Sequence, residues 1–187
     1  SHEGIFPALD VQGRGALRQG VGVEQALRSG RTSRKPRSRL PERRGRKSWV
    51  EGAEISLRPA EADDRAVPGH WEGDLVVGGA TCLVTLVERS TRFLLTGRLD
   101  SHDAATVADR LAAMVSGLPD ALSRTPAWDQ GVEMARVADF EEATGFRAFF
   151  CDPRSPWQRG SNENTNGLVR QYFPKGTRFD VVGDDEV

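Results

Sequence analysis

Three acidic residues stand in settings that a surface carboxylate seldom occupies. They are Asp74 in His70-Trp71-Glu72-Gly73-Asp74-Leu75-Val76-Val77, Asp129 in Trp128-Asp129-Gln130-Gly131, and Glu163 in Ser155-Pro156-Trp157-Gln158-Arg159-Gly160-Ser161-Asn162-Glu163-Asn164. A hard divalent cation such as Mg²⁺ prefers oxygen ligands and keeps positions open for water and phosphate. Carboxylates gathered from distant parts of a chain can hold two such ions, one beside the attacking and one beside the leaving oxygen of a phosphodiester. The chemistry this trio predicts is metal-dependent cutting and joining of DNA. A chain with 27 acidic residues contains many Asp, Asp, Glu trios, so the weight lies in the elements that must position these three.

Alternate residues of a strand share a face. A strand over 71–77, entered from His70, therefore sets His70, Glu72, Asp74 and Val76 on one side. A carboxylate in a run ending Leu-Val-Val needs a cation or hydrogen-bond partners to offset its burial. Apolar runs predict two more strands over 82–87 and 92–99, with breaks at Gly78-Gly79 and Arg89-Ser90-Thr91 short enough for hairpins. A helix follows, capped by Ser101 or Asp103, with a stripe of Val107, Leu111, Met114, Val115 and Leu118, and closed by Gly117 and Pro119. A fourth strand is expected over 125–129, a second helix over 132–143 stopping at Gly145, and an aromatic fifth strand over 146–151. The last helix starts at Ser155-Pro156 or at Ser161 and runs toward Gln171; on it Glu163, Asn166, Gly167 and Arg170 share a face. The order β-β-β-α-β-α-β-α predicts an α/β fold: a mixed five-stranded sheet of three antiparallel and then two parallel strands, flanked by helices, as in ribonuclease H-like proteins. Such a sheet aims two strand carboxylates and one helix carboxylate at one place.

The net charge of −1 is uninformative, but its distribution is not. Arg28, Arg31, Arg34, Lys35, Arg37, Arg39, Arg43, Arg44, Arg46 and Lys47 crowd one stretch in which Glu42 is the only acid, a basic arm suited to phosphates. Residues 1–67 are expected to be a helical remnant followed by a basic, partly extended linker, and 68–187 a catalytic core. The 2 cysteines, Cys82 and Cys151, lack metal-ligand spacing and read as reduced, buried thiols of a cytoplasmic protein. No apolar run is long enough to span a membrane, and no signal peptide is visible.

The three motifs resemble those of DDE transposases, most closely the insertion-sequence-thirty family of bacterial mobile elements. Gly69-His70-Trp71-Glu72-Gly73-Asp74-Leu75 is similar to that family's first catalytic strand, and Trp128-Asp129-Gln130-Gly131-Val132-Glu133-Met134-Ala135 to its second motif. The run from Phe150 to Leu168, continued by Arg170-Gln171-Tyr172-Phe173-Pro174-Lys175-Gly176-Thr177, is similar to its third and most specific motif. The resemblance implies that Asp74, Asp129 and Glu163 are the catalytic triad and the metal ligands, with Mg²⁺ the physiological ion and Mn²⁺ a substitute. It implies two displacements: water frees a 3′-hydroxyl at the element's end, and that hydroxyl attacks target DNA. The implied partners are double-stranded DNA, as terminal repeats and as target, and further copies of the chain assembled on it. The implied location is the bacterial cytoplasm, at the nucleoid when DNA is bound.

The family pattern has Lys at the position of Val132 and His at that of Val137. It also extends further at both ends, with an N-terminal helix-turn-helix region, so this chain is expected to be a truncated form. Candidate DNA contacts are Arg159, Asn162, Asn166, Arg170 and Lys175 near the third motif, and Arg43, Arg44, Arg46 and Lys47 in the arm. Asn162 and Asn166 are open to a second reading as brackets of local backbone. Trp71 and Trp157 are expected to pack, and His70 to be structural. Two other functions fit the same chain: a catalytically silent DNA-binding remnant acting through its arm, and a ribonuclease H-like nuclease without joining activity.

Overall fold

The computed structural model describes residues 47–182. The expected N-terminal helices and the arm residues Arg43, Arg44 and Arg46 lie outside the described residues.

Five strands form one sheet: β1 (His70–Gly78), β2 (Thr81–Glu88), β3 (Leu94–Leu99), β4 (Thr125–Trp128) and β5 (Phe149–Phe150). Their order is β3-β2-β1-β4-β5, antiparallel for β1–β2 and β2–β3, parallel for β1–β4 and β4–β5. This is the ribonuclease H-like arrangement that the motif order predicts. Gly79, at φ +84°, supplies the left-handed residue of the two-residue turn between β1 and β2.

β2 is buried along its whole length and divides the core by its alternation. Cys82, Val84 and Leu86 face one side with Trp71, where α1 (Ala104–Val115) and α2 (Val137–Thr144) bring Val107, Leu111, Val115, Val137 and Phe140. Asp103 caps α1 by accepting from the amides of Ala105 and Thr106 at 3.1 and 3.0 Å, and Gly145 ends α2 at φ +74°. The other side carries α3 (Gly160–Tyr172). Its apolar contact is small: Val76, Leu83, Phe179 and Val182, with Val169 and Phe173 against them. The remainder of the contact between α3 and the sheet is polar.

Three sequence expectations shift. α2 begins at Val137, not Val132, because residues Val132–Met134 form a 3₁₀ turn in which Glu133 folds back over Gly131. The fifth strand keeps two residues of the six expected. Residues 47–67, expected as an extended linker, instead pack on the sheet in the same compact unit, through turns at Ser48–Val50, Ile55–Leu57 and Ala60–Ala62. Two contacts explain the packing. Ala53 O accepts from Phe150 N at 2.7 Å, so this segment covers the β5 edge. Arg58 is buried, donating to Thr125 Oγ1 at 2.8 Å, Thr125 O at 2.7 Å and Trp71 O at 3.0 Å, and burial lowers its pKa to about 10. An arginine of the segment expected to be an extended linker is thus a bolt across β1 and β4.

Gly73 on β1 faces Trp128 so closely that a Cβ there would lie 1.8 Å from the indole ring. Gly73→Ala is expected to destabilise the fold by about 1–3 kcal/mol, the usual range for overpacking a filled core. Equilibrium denaturant unfolding reads this directly, and an unchanged midpoint would contradict it.

Candidate active site

The parallel pairing of β1 and β4 decides the site. Glu72 pairs with Ala127 in that ladder, and two residues beyond each stand Asp74, midway along β1, and Asp129, just past the end of β4, on either side of the point where the parallel pairing stops. Open α/β sheets bind ligands at the C-terminal ends of their strands. Arg159 spans the two carboxylates: Nη1 lies 3.5 Å from Asp74 Oδ1 and Nη2 lies 3.5 Å from Asp129 Oδ2. Its Nη1 also donates to Gly73 O at 2.6 Å.

Asp74 accepts from Leu75 N at 2.9 Å and from Asn166 Nδ2 at 3.1 Å. Burial raises its carboxyl above the ordinary value of 3.8; the Arg159 guanidinium opposes that rise and the charge of Asp129 reinforces it. Asp129 accepts from Gly131 N at 2.9 Å in the turn that follows β4. A further carboxylate, Glu133, occupies the space where Gly131 lacks a side chain, and its acid is raised by burial and by Asp129. Motif reading on acids at strand ends passed over Glu133; its signal was the glycine two residues before it.

Glu163 sits in the first turn of α3 and is exposed. Asn166, one turn onward on the same face, is the residue that bonds Asp74. The structure therefore brings Asp74 and Asp129 together and sets Glu163 on the helix that closes over them. Among the described residues, no three His, Cys, Asp or Glu side chains are gathered tightly enough to hold a metal ion. The Asp74–Asp129 pair itself suits a hard cation: two carboxylates, both partly exposed, with a guanidinium now offsetting part of their charge.

The candidate DNA contacts separate by burial. Asn162 is fully buried, donating to Glu72 O at 2.8 Å; it is a bracket between helix and sheet and has no surface with which to meet DNA. Asn166 is half-buried between Asp74 and Thr85, whose Oγ1 donates to Asn166 Oδ1 at 3.0 Å. Arg170 donates to Val77 O at 2.7 Å, and Lys175 is exposed. Lys47 donates to Gln130 O beside Asp129 and sits 5.0 Å over the Trp49 ring. Trp71 is buried as expected, but Trp157 is 71% exposed and does not pack. It stands in the turn before α3, next to an open cleft of about 410 Å³ lined in part by Asp129, Gln130, Asp152, Arg154, Pro156 and Arg159. His70 is buried, with Nδ1 2.7 Å from Thr125 Oγ1, in keeping with a structural part. Cys82 and Cys151 are free, buried thiols, each pushed up to about 11 by burial. No helix among the described residues is long and apolar enough to cross a membrane.

Comparison with known proteins gives the same motifs a wider frame. The family described as integrase core domain matches residues 64–156. The transposase for insertion sequence element IS1086 of Cupriavidus metallidurans is 44% identical over 189 residues, covering 100% of this chain and 55% of that protein. The transposase InsI for insertion sequence element IS30A of Escherichia coli K12 is 41% identical over 178 residues, covering 95% of this chain and 46% of that protein. The chain thus spans about half the length of the curated relatives it matches. A crystal structure of the catalytic core domain of BIV integrase superposes with a TM-score of 0.45 at 15% identity, over 56% of this chain and 72% of that one.

The raised acid of Asp74 has a sign that can be measured. Its folded form binds a proton more readily than the unfolded chain does, so ionised Asp74 weakens the fold at neutral pH. Without divalent ions, Asp74→Asn is expected to be more stable than the parent at pH 7. That margin should shrink as pH falls through the raised pKa and vanish below the ordinary 3.8. Thermal melts across pH 3–8 test this (a range on the order of the carboxylate titration); a variant less stable at every pH would refute it.

Proposed function

The chain belongs to the insertion-sequence-thirty family of DDE transposases, and from that premise we propose that it cuts DNA at the ends of a mobile element and joins the freed ends to target DNA. The observation that carries this reading is the Asp74–Asp129 pair just beyond the last parallel pairing of β1 and β4, bridged by Arg159. A guanidinium there offsets one of the two neighbouring negative charges that would otherwise face a polyanion.

In this reading Asp74, Asp129 and Glu163 hold the metal, Mg²⁺ by preference and Mn²⁺ as substitute. Bound there, the metal supplies activation of the attacking oxygen and neutralisation of the charge that builds on the phosphate. The chain's own residues do the rest. Asn166 and the Leu75 amide hold Asp74 in one orientation. Glu163, exposed in the first turn of α3, would have to close on the aspartate pair to complete the donor set. Arg159 binds a phosphate oxygen when it leaves the carboxylates, while Lys175, with Arg43, Arg44, Arg46 and Lys47, engages the DNA backbone. Arg170 lies on the same helix as Glu163 and reaches DNA beside it. Double-stranded terminal repeats and target DNA are the substrates, and joining two ends requires more than one copy of the chain. No covalent protein intermediate is needed, because the nucleophiles are water and a 3′-hydroxyl.

The test is cleavage and joining on DNA carrying the ends of the element that encodes the chain. Asp74→Asn, Asp129→Asn and Glu163→Gln are each expected to lower Mg²⁺-dependent nicking by at least about 100-fold, on the scale of losing one transition-state stabiliser, with DNA affinity kept. Pre-cut ends should give joined product. Tight binding without cleavage would favour the silent remnant, and cleavage without joining would favour a nuclease.

A further inference from the structure

Glu72 lies two residues before Asp74 on the same face of β1, and it is fully buried. Its Oε2 accepts from the amides of Ser161 at 2.7 Å and Asn162 at 2.9 Å. Its Oε1 lies 3.1 Å from Arg89 Nη1. Asn162 returns the contact by donating to Glu72 O at 2.8 Å. No side chain preceding α3 caps it. The amides at its start, which helix geometry leaves unpaired, are met instead by a carboxylate from the sheet. The next residue along the helix is Glu163.

We propose that Glu72 is a positioning residue: by gripping the first-turn amides of α3, its carboxylate fixes the height of Glu163 over β1 and hence its distance from Asp74. The inference rests on the reading of Glu163 as the third metal-holding carboxylate. Three features support it. The grip is made at Ser161 and Asn162, immediately before Glu163, so any change in its length passes to Glu163 with no intervening hinge. The α3 face against the sheet is mostly polar at this end, so little apolar packing fixes the helix there; the apolar contacts of α3 gather at Val169 and beyond. Glu72 and Asp74 share one strand and one face, so a single rigid element carries both the anchor and the group to be met.

Length, not charge, is the variable to test. Glu72→Asp keeps the charge and shortens the reach by one methylene. Glu72→Gln combined with Arg89→Met keeps an oxygen at the original reach and removes both charges of the pair. We expect Glu72→Asp to slow single-turnover cleavage at saturating DNA and Mn²⁺ by at least about tenfold, the scale on which small misplacements of reacting groups act. Its DNA affinity and melting temperature should stay near those of the parent, and its Mn²⁺ affinity, read by paramagnetic resonance without DNA, should weaken. The double variant should cleave within about threefold of the parent, well inside that misplacement scale. Either variant reversing this order overturns the proposal, as does a Glu72→Asp protein that binds Mn²⁺ and cleaves as the parent does. Should the double variant fail to fold, amide exchange in the unmodified protein decides: Ser161 and Asn162 must exchange far more slowly than unpaired amides, and full-rate exchange sinks the idea. Glu163→Gln is the control. If it cleaves normally, the reading of Glu163 fails and the proposal with it; if it is inactive while Glu72→Asp is normal, only the proposal fails.

Discussion

Two carboxylates on one face of one strand, Glu72 and Asp74, lie under the same helix, and the structure depends on how differently their charges are met. Burying an anion is costly unless it is paired and hydrogen-bonded. Glu72 is met closely, by two amides of α3 on Oε2 and by the Arg89 guanidinium 3.1 Å from Oε1. Charge-assisted bonds of this kind contribute about 1.5–3 kcal/mol each. Asp74 is met in part, by one amide, one side-chain amide and a guanidinium at 3.5 Å, and its acid stays raised. One anion is tied into the fold, and the other is left wanting a cation. The strand's alternation placed both on that face, and the position of the α3 N-terminus decided which was satisfied.

Much of this was legible in the chain because local and global signals agreed. The Gly78-Gly79 break and the unbroken apolar run of β2 fixed the meander, and Asp103 with the Val107, Leu111, Val115 stripe fixed the first helix. Period-two alternation alone puts Glu72 and Asp74 on one face. The partner of Glu72 was not readable that way. Capping rules look for a donor-satisfying side chain just before a helix, and Ser155 and Ser161 drew attention on those grounds. The true cap comes from a strand 89 and 90 residues earlier in the chain than the two amides it meets. No window of sequence contains that contact.

The same limit explains the segment 47–67. It follows the basic, proline-bearing run of the arm and is rich in charged residues itself, and such composition argues against packing when no apolar surface is buried. Here Val50 and Ala62 are buried, the backbone of Ala53 pairs with Phe150, and Arg58 finds three oxygens on β1 and β4. A buried arginine is indistinguishable in sequence from a solvated one. What decided its place was the supply of carbonyl acceptors on two parallel strands whose ladder holds only the pairs His70–Thr125, Trp71–Pro126 and Glu72–Ala127. Pro126 in β4 belongs to the same account, since a proline cannot donate to a ladder and the strand makes few pairs around it.

Arg159 connects the fold to the chemistry by a competition. With no other cation present, it relieves the repulsion between Asp74 and Asp129 by lying between them, and its hydrogen bond to Gly73 O keeps it over β1. Any cation that enters the pair replaces this contact instead of adding to it, so its net affinity is smaller than two carboxylates would give alone. The displaced guanidinium remains tethered just before α3, within reach of whatever the cation then holds. A guanidinium pairs with a phosphate as well as with a carboxylate. In the proposed reading that exchange would move positive charge from the protein's own acids toward a bound phosphodiester while the entering cation pairs both anions, and it would require α3 to stay at its height while Arg159 moves. That fixed height is what the two amides on Glu72 supply.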